Sequence, residues 1–135
     1  MHMTGVTKLA DLVKNMSPRL NDGEYVFVTV KDISSIDRAD TLGEFKEAEG
    51  TTVVMEKKKA DEYKLSYEYV ASWITLMVHS SLEAVGLTAL FSAELARHQI
   101  SCNVVAGYFH DHIFVDQKDG EKVVQILNAL AKRGG

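Results

Sequence analysis

Trp73-Ile74-Thr75-Leu76-Met77-Val78 is an apolar run broken only by a threonine, and His79-Ser80-Ser81-Leu82-Glu83-Ala84-Val85-Gly86 follows it. Beyond that glycine, Leu87, Leu90, Phe91 and Leu95 fall on one face of a helix that fades near Arg97-His98-Gln99. The stretch therefore reads as strand, loop, helix. Tyr67 and Tyr69 alternate with polar neighbours just before it, so one long or two consecutive strands fill residues 66–79.

Downstream, Ser101 to Ala106 and His112 to Val115 read as two strands flanking Gly107-Tyr108-Phe109-His110-Asp111, a hairpin. Asp119 is placed to cap a last helix whose Val123, Ile126, Leu127 and Leu130 form a second apolar stripe. Upstream, Leu9, Leu12, Val13 and Met16 mark a helix over residues 5–16, ended by Ser17-Pro18. Tyr25 to Val30 is a β-branched and aromatic run of near-continuous apolarity, which predicts a central strand. Residues 31–50 form a long connection, of the kind that is functional or conceals a short element. Thr51 to Met55 reads as a strand, and the charged Glu56 to Glu62 as a short helix whose lysines face water.

The second half thus runs strand, helix, strand, strand, helix. A ferredoxin-like unit has the order βαββαβ, so the first half lacks its leading strand and the second its trailing one. The expected class is α+β: two half-size ferredoxin-like units with antiparallel sheets and helices on one face, sharing strands or packing together. Units of this size are marginal alone.

With 135 residues, 46% hydrophobic and 25% charged, the composition is that of a folded globular chain. The net charge of −4 has the wrong sign for attraction to a phosphate backbone, so nucleic acid is not an expected partner. The longest apolar stretch, Trp73 to Val78, is far shorter than the ~20 residues of a membrane-spanning helix, so no membrane partner is expected. A single cysteine, Cys102, in an apolar run, and no secretory pattern at Met1 to Gly5, suggest a cytoplasmic protein.

Chemistry narrows the options further. At the start of the helix after Gly86, backbone N–H groups have no intrahelical partner, and those of Gly86, Leu87 and Thr88 suit a carboxylate. The plainer reading is a capping box at Ser80-x-x-Glu83, with Gly86 as a packing contact. Asn103 interrupts the next strand, and its amide can serve both ends of a zwitterion or simply sit satisfied at a sheet edge. His110-Asp111-His112 is the most polar cluster of the second half. Two imidazoles are fewer ligands than a metal site needs, and a polar hairpin is the alternative. Neither a Gly-x-Ser-x-Gly elbow, a Gly-x-Gly-x-x-Gly fingerprint nor a P-loop occurs. No catalytic residue, metal ligand or cofactor is assigned.

From Ile74 to Ala89 and from Ala106 to Val115 the sequence resembles the ACT-domain superfamily, in particular small bacterial proteins with two ACT-like subdomains. Asp22 to Phe27 and Glu49 to Val53 carry the likeness into the first half. The resemblance implies subdomains at residues 4–65 and 66–135, akin to the regulatory modules of aspartate kinases. It also implies a non-catalytic sensor, homodimeric, binding an amino acid or related carboxylate. The ligand would be held by Glu83, Ala84, Val85, Gly86 and Leu87 of the strand-to-helix loop and by Asn103 of the adjacent strand. Two other functions stand beside it: a metal-dependent enzyme built on His110 and His112, and a structural or protein-interaction module without a ligand. The chain departs from the pattern by ending on a helix and by lacking a glycine-ended strand-to-helix loop in its first half.

Overall fold

A computed structural model describes residues 5–78 and 86–134. The elements run α1 (Gly5–Lys14), β1 (Pro18–Leu20), β2 (Tyr25–Val30), β3 (Gly43–Glu47), β4 (Gly50–Glu56), α2 (Lys57–Glu62), β5 (Val70–Leu76), α3 (Leu87–Arg97), β6 (Cys102–Ala106), β7 (Asp111–Asp116) and α4 (Gly120–Arg133). The fold is α+β, and every described strand pairing is antiparallel. The strand order is β3-β4-β2-β5-β7-β6, with β1 paired to β5. β2 pairs along its whole length with β4 and through Tyr25 and Val26 with β5, so the sheets of the two halves join there. Strand sharing is real: β1, from the first half, completes the sheet of the second.

The register sorts the side chains by alternation. Val26, Val28, Val53, Met55, Ile74, Leu76, Ile113 and Val115 point to one face, where the four described helices lie. Beneath α1, α3 and α4, Val13, Phe91, Leu95, Leu127 and Leu130 close the larger core over β5 and β7. Ala60 of α2 seals a smaller one over β2 and β4. At roughly 1.5–3 kcal/mol for each large apolar side chain fully buried, these two layers are what hold the helices to the sheet. Tyr25, Phe27, Trp73, His112 and Phe114 point the other way, to a face that no described helix covers.

Three expectations shift and one is met. The first helix ends at Lys14, because Pro18-Arg19-Leu20 pairs with β5 as a strand. Proline is tolerated there as the first residue of a strand that pairs on one side. β5 begins only at Val70, since Tyr67 donates its hydroxyl to Asp61 of α2. The long connection conceals two 3-10 turns, capped by Asp32 and Asp37, and the edge strand β3. Asp119 stands at the start of α4 without a capping bond. Its carboxylate takes Lys118 Nζ at 2.9 Å, and Asp116 caps the preceding 3-10 turn instead.

Candidate functional site

Gly86 has φ +96°, ψ −21° and stands at the N-cap of the eleven-residue α3. A left-handed backbone just before a helix is a conformation that a residue without Cβ adopts at no steric cost. Leu87 beside it is 2% exposed and anchors the start of α3 in the core, while the Gly86 carbonyl accepts from Leu90 N–H at 2.9 Å. Leu9 of α1 packs here: its Cδ2 lies 3.1 Å from where a Cβ on Gly86 would stand. Glu83, Ala84 and Val85, like the capping-box serine Ser80, lie outside the described residues.

Asn103 is exposed on the edge strand β6, opposite Phe114. Its neighbours Cys102 and Val104 pack toward the helices. Alternation therefore turns Asn103 toward the uncovered face, away from α3. Within one chain Gly86 and Asn103 are on opposite sides of the sheet.

That uncovered face is aromatic and structured. Trp73 and Phe114, directly paired across β5 and β7, lie nearly parallel at 14° with centroids 6.3 Å apart. Tyr25 meets Trp73, and Phe27 meets Phe114, edge-on at 5.3 Å. Trp73 Nε1–H donates to His112 Nδ1 at 3.0 Å, and Thr75 Oγ1 lies 3.2 Å from the same nitrogen. Asn21 Nδ2 in turn donates to Thr75 Oγ1 at 3.0 Å. Two donors converging on Nδ1 leave the ring proton to Nε2. Burial, first, and the nearby His110, second, hold the His112 imidazole below its ordinary value and hence neutral. The sheet curls so that Leu42, Gly43 and Val54 stand on one side of Trp73 and Phe114 and Val105 and His112 on the other, enclosing a groove of about 150 Å³.

Two ACT domain models match the chain, one over residues 4–72 and one over residues 68–129. The chain belongs to the ACT domain family. It is 45% identical to a Vibrio cholerae protein of unknown function described as a possible transport protein, over 95% of this chain and 99% of that one, with a TM-score of 0.85. An Agrobacterium tumefaciens protein is 15% identical over 87% of this chain and 90% of its own, with a TM-score of 0.68. The ligand-free regulatory subunit of Thermus thermophilus aspartate kinase shares the fold at a TM-score of 0.62, with 7% identity over 84% of this chain and 95% of its own. No match was found among curated proteins.

ACT membership supports a regulatory, ligand-binding role in general terms. As for the histidine cluster, His110 lies in the turn outside β7, and His112 has committed Nδ1 to Trp73 and Thr75. Asp111 between them is 9% exposed, and burial raises its carboxyl above the ordinary value. Among the described residues no group of three or more His, Cys, Asp or Glu is placed to hold a metal ion. Among those residues, too, no helix is long and apolar enough to cross a membrane. Apart from His112, named within the histidine cluster, the groove residues of this ACT protein escaped the reading of the sequence. Period-two spacing of Trp73 with Thr75 and of His112 with Phe114 is the signal that groups them on one face.

Proposed function

We propose that this ACT protein is a non-catalytic regulatory module, with units at residues 4–65 and 66–135, that binds a small amino acid or related carboxylate. The segment Glu83, Ala84, Val85, Gly86 and Leu87 receives the carboxylate on backbone N–H groups at the N-terminus of α3. The observation that carries this reading is Gly86 at φ +96° immediately before the buried Leu87. The left-handed backbone of Gly86 turns the chain into α3, which fixes the direction of the amides, while Leu9 packs on the side where a Cβ would stand. Asn103, on the other side of the sheet, acts as a group presented by a second copy in a homodimer, where it pairs with the ammonium. Binding favours whichever arrangement of units closes around the ligand, which is how the signal leaves the site.

A thermal-denaturation screen of the twenty amino acids tests this. A ligand present at 100 times its dissociation constant stabilises the chain by about 2.7 kcal/mol, so at least one amino acid raises the melting temperature in a saturable way. A flat response to all twenty sinks the reading.

A further inference from the structure

Within one chain the groove on the uncovered face lies across the sheet from the α3 turn, and its chemistry differs. Its floor is the Trp73–Phe114 pair, and its walls are Leu42, Gly43 and Val54 on one side and Val105 and His112 on the other. At about 150 Å³ it matches the size of apolar cavity that takes up one benzene ring. The lining has no Asp, Glu, Lys or Arg. A charged guest would therefore lose its hydration with no counter-charge in return. His112 is the only ionisable group in the lining. With Nδ1 engaged by Trp73 and Thr75, it keeps its proton on Nε2 and is neutral, and Nε2 lies beside Gly107 of the β6–β7 turn. The Asn21–Thr75–His112–Trp73 chain of hydrogen bonds holds both rings in place before any ligand arrives. A preorganised flat wall favours another ring, offset or edge-on.

Gly43 adds an independent observation. A Cβ built there meets nothing within 4 Å, so neither packing nor turn geometry requires a glycine at this position. What its missing side chain leaves open is the groove mouth. Leu42 and Val105, at the two lips, are 40% and 48% exposed.

We propose that this groove is a second ligand site, which takes a neutral molecule with a single aromatic ring. The ring lies against Trp73 and Phe114.

Phenol is the probe, and Trp73, the only tryptophan of the chain, is the reporter. Titration of the full-length protein at neutral pH is expected to change the Trp73 emission saturably. Benzoate, of the same ring size but charged, is expected to bind at least about tenfold more weakly. Gly43→Leu, which fills the groove from a position with free space, is expected to weaken phenol at least about tenfold while melting like the parent. The variant also keeps whatever amino-acid response the α3 turn gives, so the two sites fail or stand separately. If Gly43→Leu does not fold, Val105→Phe fills the groove from the opposite lip. A non-saturable response, benzoate binding as tightly as phenol, or phenol binding unchanged in a folded groove-filling variant overturns the proposal. It is equally overturned if sedimentation shows that a second copy occupies this face and that phenol acts only by dissociating it.

Discussion

Trp73 donates its indole N–H to Nδ1 of His112 at 3.0 Å, diagonally across the β5–β7 pair. The bond exists only while Nδ1 is unprotonated, so it ties the imidazole to its neutral form.

A pH dependence follows. Burial lowers the His112 value below 6.5, so as the pH falls below 6.5 the unfolded chain takes up a proton that the folded chain refuses. Stability is therefore full above that point and declines as the pH drops toward the lower folded-state value. Asp111 acts with the opposite sign at lower pH, because burial raises its carboxyl above 3.8 and the folded chain holds that proton more tightly. Urea midpoints measured at stepped pH should fall below pH 6.5, and His112→Phe should flatten that part of the curve. A midpoint independent of His112 across this range contradicts the assignment.

Gly86 and Leu9 form a second coupled pair. Gly86→Ala faces a left-handed backbone and Leu9 Cδ2 at 3.1 Å, and should cost about 1–3 kcal/mol. Leu9→Ala removes the steric part but not the dihedral part. The double variant should be less destabilised than the sum of the two singles, by about 0.5 kcal/mol or more. Strict additivity in chemical denaturation would show that Leu9 does not press on this turn.

The sequence made the helices and the buried strands legible for a simple reason: each has a periodic apolar face, as Leu87, Leu90, Phe91 and Leu95 do in α3. β3 escaped because Gly-Glu-Phe-Lys-Glu is an edge strand whose side chains are mostly wet, so no burial pattern marks it. β1 escaped because three residues carry no period at all. At the α3 turn, Gly86 announced itself as a position needing no Cβ, but nothing local foretold that Leu9, 77 positions earlier in the chain, would pack on it. The groove was less visible still. It depends on the curl that brings Leu42 and Gly43, beside one sheet edge, across from Val105 at the other, and a long-range curl leaves no trace in spacing.

Glu94 is a charged residue of α3 that is only 6% exposed. It accepts from Arg133 of α4 at 2.9 Å, with Arg97 Nη1 at 3.4 Å and His98 Nε2 at 3.8 Å. The Arg133 hydrogen bond is the first cause holding its carboxyl below the ordinary 4.5. The stabilisation is therefore present above pH 4.5 and lost as the pH falls through the lower folded-state value. Because Arg133 is half exposed, Arg133→Ala should cost only about 1–2 kcal/mol at neutral pH. The deficit should shrink on the acid side, as read from urea melts at both ends of the range. A deficit that stays constant into acid would mean that Arg133 acts by packing alone.

Two glycines give different outcomes from the same substitution. Gly120 opens α4 with helical backbone angles, where alanine would ordinarily gain close to 1 kcal/mol in helix propensity. A Cβ there, however, would stand 2.7 Å from Ser72 Oγ and 2.9 Å from Ser72 Cβ, on a strand that cannot retreat without disturbing its pairing with β7. Gly120→Ala should therefore destabilise by about 1–3 kcal/mol, despite the better helix former. Gly43→Ala, with nothing within 4 Å, should stay within about 0.5 kcal/mol of the parent. Ser72→Gly in the Gly120→Ala background removes both close atoms, so the double variant should recover stability relative to Gly120→Ala alone. Thermal and urea unfolding of the three variants decide the matter, and a neutral Gly120→Ala would show that α4 shifts away from β5 at little cost.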